Sequence, residues 1–282
     1  MKTILVATDL TTSSSQALDW ARLLARHYKA ALTLTHIYTM PTPPVSGAPL
    51  GLADTASTVE MTSDLEAISR EQVDKLANQL CSEGFTVQTD WRIGPIGDEI
   101  RTAAEEHNAD LIITGRSDMS SFFDRLIGTS ATSVAEKASC PVLVVPAVAE
   151  NQSAAVQLRT IVFASPLETN DTTPFRSVLD MARQFGAVLH LLTVHAENQP
   201  NLYSDQDALA ELNQAAEGTS FRKHTVEART VTDGIHKYLE EHPADLLVMT
   251  SRERGFLDGL LNPSLTGKIL STSMIPVLVY HS

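Results

Sequence analysis

Cysteine is nearly absent: Cys81 and Cys140 are the only two in 282 residues, and no metal-ligand spacing relates them. That excludes a disulfide scaffold and reads as reduced, mostly buried thiols in a cytosolic protein. Basic residues are also scarce, 21 Lys and Arg against 34 Asp and Glu, for a formal charge of −13. No Lys/Arg run offsets it, so neither a nucleic-acid backbone nor an anionic membrane is an expected partner. No apolar stretch approaches the roughly 20 residues that span a bilayer, and the opening MKTILVATDL has no apolar signal core. A cytoplasmic location is the expectation. Catalytic signatures are missing too. There is no Gly-x-Ser-x-Gly, no recognisable Ser/His/Asp set and no Walker-type lysine. His36, His190, His195 and His224 form no metal-spaced cluster and read as ordinary strand residues. Ser13–Ser15 and Ser120-Ser121 could accept phosphate, but serines at helix starts are more often caps.

What the chain does have is a repeat, inside a composition (43% hydrophobic, 20% charged) typical of a globular protein. Ile4–Tyr38 overlays Ile161–His195 at an offset of 157. In each copy a β-branched run, ILVA or IVFA, precedes a polar turn and a helix. The first helix puts Ala17, Trp20, Ala21, Leu24, Ala25 and Tyr28 on one face; the second puts Phe175, Val178, Leu179, Ala182 and Phe185 there. Further on, Asp110–Ile113 overlays Asp245–Val248, and Pro141–Val144 overlays Pro276–Val279, at an offset of 135. The second copy therefore lacks 22 residues found in the first, around Met40–Ser63, a Pro- and Gly-rich stretch suited to a long mobile loop.

These patterns predict two tandem doubly wound α/β domains, residues 1–147 and 158–282, joined by a polar linker at 148–157. Each is a five-stranded parallel sheet alternating with helices, and runs such as LIITG and PVLVV fit strands buried on both faces. The apolar last strands, Val142–Val145 and Val277–Tyr280, are expected to pair as an intramolecular pseudo-dimer, since either edge left open invites aggregation.

In such sheets ligands bind beyond the carboxyl ends of strands, where the strand order reverses. The first strand ends Ala7-Thr8-Asp9. Asp9 suits either a ribose hydroxyl or a helix cap, and capping is the commoner use. The fourth strand ends at Gly115, and Gly128-Thr129 is expected just before a last helix at Ser130–Ala138. Backbone N–H groups there would form an anion site, or an ordinary capped loop.

Taken together these motifs resemble the universal stress protein family: Gly, two residues, Gly, nine residues, then Gly-Ser/Thr, with an early Val-x-x-Asp. Gly115, Asp118 and Gly128-Thr129 match that spacing, as do Ala7–Thr11, Ile93-Gly94-Pro95 and Ala138–Val145. The resemblance implies strand order 3-2-1-4-5 in each domain, a stress-response role, and binding of ATP or AMP, with Mg accompanying the nucleotide. By position it assigns Thr8 and Asp9 to the sugar, the backbone of Ile37 to adenine, and Gly115, Gly128, Thr129 and Ser130 to phosphate. Asp118 stands where the family has Gly. At an effective dielectric of ~20, two unit charges ~4 Å apart repel by about 4 kcal/mol. Arg116, Arg125 or a divalent ion would have to offset that.

The second copy departs further. Pro166 replaces the Asp, Arg229 replaces Gly94, Ser251 is read in place of Gly115, and Asn262-Pro263 in place of Gly-Thr. Its nucleotide site is expected to be lost, and Arg252–Arg254 reads as a solvated loop. The leading reading is a nucleotide-binding regulatory protein with at most slow ATP hydrolysis. The alternatives are a scaffold without nucleotide, associating as a homodimer or with other proteins, and an adenylyl transferase.

Overall fold

Short β-branched runs between amphipathic segments fix the element order. The computed structural model describes residues 1–11, 13–39, 55–116, 124–147, 156–165, 172–197, 210–214, 216, 220–251 and 264–281, without the side chains of 13, 55–64 and 124–129. In the first copy these are β1 Thr3–Ala7, α1 Ser13–Tyr28, β2 Ala31–Tyr38, α2 Thr55–Ser82, β3 Val87–Ile93, α3 Ile96–Glu106, β4 Leu111–Arg116, α4 Asp124–Lys137 and β5 Val142–Pro146. The second has β6 Thr160–Ala164, α5 Thr172–Phe185, β7 Val188–Ala196, a helical stretch at 210–214, β8 Arg222–Ala228, α6 Val231–Glu241, β9 Leu246–Ser251, α7 Leu265–Thr272 and β10 Val277–His281.

Within each copy the strands are parallel, in the orders β3-β2-β1-β4-β5 and β8-β7-β6-β9-β10. Instead of two separate sheets there is one of ten strands, joined by an antiparallel β5–β10 pair with Leu278 opposite Leu143 and Val277 opposite Val144. The expected seam is therefore present. Val142, Leu143, Val144, Val277, Leu278 and Val279 are each at most 3% exposed, which removes the aggregation-prone edge. Helices α1, α2 and α5 cover one face; α3, α4, α6 and α7 cover the other. Both cores run through the two copies. The helix faces read from spacing are buried, except that Tyr28 and Phe185 are only half-buried.

The repeat extends to hydrogen bonds. The Asp110 carboxylate accepts from the N–H groups of Lys2 and Thr3, and Asp245 accepts from Arg159 and Thr160. Burial opposes ionisation of Asp110, but these N–H donors outweigh it and hold its carboxyl below the ordinary range. At the ends of α1 and α5, Lys29 (φ 53°) and Gly186 (φ 65°) both turn left-handed. Ala30 and Ala187 then donate back to Ala25 and Ala182 at 3.0 and 2.8 Å, a Schellman-type stop in each copy.

Three sequence expectations change. Helix α2 already begins at Thr55, inside the stretch read as loop, because 55–82 contains neither Pro nor Gly. Cys81 is exposed on that helix rather than buried, whereas Cys140 is half-buried and burial pushes its thiol up to about 11. The register also corrects an alignment. Gly115 lies opposite Val145 and Thr250 opposite Tyr280, so Thr250 is the counterpart of Gly115, and Ser251 that of Arg116.

Candidate functional site

The strand order reverses between β1 and β4, whose pairing ends at Ala7–Thr114. Beyond this point lies the crevice where doubly wound sheets hold ligands. Thr8 is 4% exposed and ties the turn together. Its hydroxyl donates to Ser14 Oγ at 3.1 Å and accepts from the Leu10 N–H at 3.1 Å. Its carbonyl accepts from His36 Nδ1 at 2.8 Å, which fixes the proton on that ring nitrogen. Leu10 adopts φ 62° to complete the turn. Thr8 thus organises the loop rather than offering a free hydroxyl.

Asp9 is exposed at the crest of this turn. Its Oδ1 accepts from the Thr11 N–H at 3.0 Å and the Thr11 hydroxyl at 2.7 Å. Oδ2 has no partner among the described residues. The carboxylate is therefore oriented through Oδ1.

Ile37 follows from strand alternation. Ala31 donates to Lys2 and Thr35 accepts from Thr8, both on the β1 side, while Leu32 donates to Thr86 on the β3 side. The N–H and C=O of Ile37 therefore point towards β1, two residues past the last pairing, Ala7–Thr35. They form a donor–acceptor pair above the buried Thr8. Gly115 sits half-buried one residue beyond the last β1–β4 pairing.

The phosphate side differs from expectation. Helix α4 starts at Asp124, not Ser130, so Gly128 and Thr129 lie within it. Only the first four N–H groups of a helix lack intrahelical acceptors, and those belong to 124–127. The run Asp-Arg-Leu-Ile before Gly128 continues the helical pattern, and one Gly does not stop it. In the second copy α7 does begin at Leu265, the counterpart of Ser130, capped by Ser264, whose Oγ accepts from the Gly267 N–H at 2.9 Å. This places Ser264, not Pro263, opposite Thr129. Ser130 itself is half-buried, whereas Asp118, Arg252–Arg254, Pro166, Asn262 and Pro263 lie outside the described residues, as does the Arg125 side chain.

Arg116 is committed elsewhere. Its guanidinium donates to the carbonyls of Leu270 and Ser273, the latter at 2.8 Å, at the end of α7 in the other copy. His281 Nε2 makes the reciprocal contact, 3.0 Å to the Ala135 carbonyl near the end of α4.

Sequence reasoning missed a polar cluster in the second copy, built around the buried His190 and Tyr238. The Tyr238 hydroxyl lies 2.9 Å from His190 Nδ1. The His224 ring stands 4.9 Å from that of His190, and His242 stacks on Tyr238 at 4.4 Å. The signal was His242, one turn after Tyr238 on α6; its Nδ1 reaches the Tyr238 carbonyl at 3.2 Å. Among the described residues no group of three or more His, Cys, Asp or Glu could hold a metal ion. None of the described helices is long and apolar enough to cross a membrane.

The sequence profile described as the universal stress protein family matches residues 1–146 and again 158–281. The chain belongs to the universal stress protein family. A universal stress protein from Mycolicibacterium smegmatis is 26% identical over 289 residues, 98% of this chain and 96% of its own. Among solved structures, a universal stress protein from Archaeoglobus fulgidus superposes with a TM-score of 0.71 at 17% identity, covering 99% and 98% of the two chains. One described as a putative universal stress protein, from Pseudomonas aeruginosa, gives 0.63 at 18% identity, covering 100% and 93%. These superpositions place the tandem arrangement within the fold of the family.

Proposed function

We propose that this universal stress protein binds one adenine nucleotide, ATP or AMP, in its first copy and acts as a cytoplasmic stress-response regulator. The observation that carries the reading is the half-used Asp9 carboxylate beside the outward N–H and C=O of Ile37. A carboxylate oxygen suits a ribose hydroxyl, and a parallel donor–acceptor pair suits the edge of adenine. Thr8 positions the loop and Gly115 allows backbone approach. Phosphate contact through Gly128, Thr129 and Ser130 requires their N–H groups to be freed. Helix α4 would then start near Ser130, as α7 starts at Leu265. Mg would arrive with the phosphates. The domains are taken as 1–147 and 158–282 with the linker between, and the second copy, with Pro166 for Asp9 and Thr250 for Gly115, as structural. The chain catalyses at most slow hydrolysis.

Calorimetric titration with ATP should give one site per chain, weakened by Asp9→Ala by roughly 1.5–3 kcal/mol, the worth of one charged hydrogen bond. Asp118→Gly should tighten ATP more than AMP if that carboxylate repels phosphate. Two equivalent sites, or binding indifferent to Asp9, would overturn the assignment. The engagement of Arg116 across the seam and the long α4 favour a second reading, a scaffold that binds protein partners or a second chain without nucleotide. No binding by the wild type or either Asp118 variant would select it.

A further inference from the structure

At the opposite end of the sheet from Asp9, a crevice of about 240 Å³ opens between α1 and α5 over the β5–β10 seam. Its floor is Leu143 and Leu278, which face each other in register. Trp20 and Leu24 form one wall; Ser177 and Met181 form the other. On the far face of the sheet α4 and α7 close the seam, with Thr132 and Glu136 against Gly267 and Ser264. On this face, at the C-terminal ends of α1 and α5, His27 stacks on Phe185 at 4.1 Å and Tyr28 meets it edge-on.

The gap has a cause in the sequence. At the offset of 157, Leu24 answers to Met181 and Tyr28 to Phe185, but Trp20 answers to Ser177. The pseudo-two-fold would set a second indole beside the first, and the second copy supplies a hydroxymethyl group instead. Protein interiors rarely tolerate voids larger than a water molecule. An enclosed apolar cavity of about 150 Å³ takes up benzene; this crevice is larger and open on one side, and its mouth has room for a ring.

We propose that the crevice is a binding site for a small uncharged aromatic molecule of one or two rings carrying an N–H or O–H donor. Trp20, Leu24, Met181, Leu143 and Leu278 line the crevice, each at most 5% exposed, so the ring rests against their edges, that of the Trp20 indole among them. Asp180 stands on the rim where a donor would point, whereas the Ser177 hydroxyl already donates to the Thr173 carbonyl at 3.3 Å and pairs with Tyr280. Asp180 shares one carboxylate oxygen with Arg183 at 3.2 Å; Asp110, the other acid on the rim, is filled by Lys2 and Thr3. Each carboxylate on the rim matches a cation, Asp180 with Arg183 and Asp110 with the Met1 ammonium, so no positive charge is left over to hold an anion, which separates this site from one for nucleotide. Because the walls come from different copies, an occupant clamps the two together.

Indole is the probe, titrated calorimetrically into the full chain. Saturable binding at one site per chain is expected, unaffected by saturating ATP. Ser177→Trp, which supplies the missing ring covalently, should weaken indole by at least about tenfold, and Ser177→Leu by less. Indole-3-carboxylate should bind the wild type at least about tenfold more weakly than indole. Should Ser177→Trp fail to fold, Trp91→Phe leaves Trp20 as the sole tryptophan, and 4-nitrobenzyl alcohol should quench it saturably, with indole competing. No saturable binding by wild type, displacement by ATP, or unchanged affinity in a folded Ser177→Trp would each overturn the proposal.

Discussion

Replacing Arg116 with alanine tests whether this side chain belongs to the seam or to the nucleotide crevice. Helix α7 ends at Thr272, so its last four carbonyls have no acceptor role left within the helix. The Ser273 N–H takes that of Ile269 at 2.8 Å, and Arg116 takes that of Leu270 together with the carbonyl of Ser273. Each charged hydrogen bond is worth roughly 1.5–3 kcal/mol, and a cation at a helix C-terminus adds about 0.3–1 kcal/mol. Arg116 is only half-buried, so water replaces part of what alanine removes. A net loss of about 2–3 kcal/mol follows. For a chain of this size each kcal/mol lowers Tm by roughly 2–4 °C, giving a drop of about 4–12 °C by calorimetry. Arg116→Lys keeps the charge but cannot span both carbonyls, and should recover less than half. ATP affinity should stay within about twofold. A stability change under about 0.5 kcal/mol, or a large loss of ATP binding without one, would refute the seam assignment.

Two further substitutions probe packing. A Cβ at Gly234 would sit 2.4 Å from Val194 Cγ1, whereas at Gly97 the nearest atom is 3.6 Å away. Gly234→Ala should therefore cost about 1–3 kcal/mol in urea denaturation and Gly97→Ala should cost nothing measurable. Leu278→Asp places an unpaired carboxylate in the buried seam, so it should cost more than about 3 kcal/mol in urea denaturation, or drive the chain into aggregates seen by light scattering.

The sheet was legible because its signal is redundant. Repeated β-branched and apolar runs, two offsets and the apolar β5 and β10 all required the same topology, so no single residue could mislead. The site was less legible because it depends on local competition. Nothing in Gly128-Thr129 says whether preceding residues extend α4, since one Gly costs only about 1 kcal/mol inside a helix. Thr8 was correctly placed at the strand end, but its hydroxyl is consumed by Ser14 and Leu10, a partnership visible only once the turn is folded. Arg116 looked available for phosphate because its partners are backbone carbonyls more than 150 positions away, and carbonyls leave no mark in a sequence. The histidines of β7 and β8 seemed ordinary for the same reason. Their cluster is completed by α6.

That cluster predicts a pH dependence for the second copy. Burial, then the neighbouring His224, Arg222 and His242, hold His190 below the ordinary histidine range; burial, His242 and Arg222 do the same for His224. Tyr238 is pushed up to about 12, chiefly by burial, and so keeps its proton. Its hydroxyl pairs with Nδ1 of neutral His190 at 2.9 Å. Protonating His190 makes that nitrogen a donor and sets positive charge beside Arg222. The unfolded chain has no such penalty and takes up protons near pH 6.5. Unfolding therefore binds protons as pH falls below that value, and stability falls with it, by up to roughly 1.4 kcal/mol per pH unit for each histidine. Above about pH 7 the effect vanishes. His190→Asn, which keeps an acceptor for Tyr238, combined with His224→Thr, the residue at the matching position Thr89 of the first copy, should flatten this slope. Urea melts of both proteins from pH 8 to pH 5 should coincide in slope at the top of the range and diverge below pH 6.5, the wild type falling faster. Parallel curves throughout would mean that these two histidines titrate alike in the folded and unfolded chain.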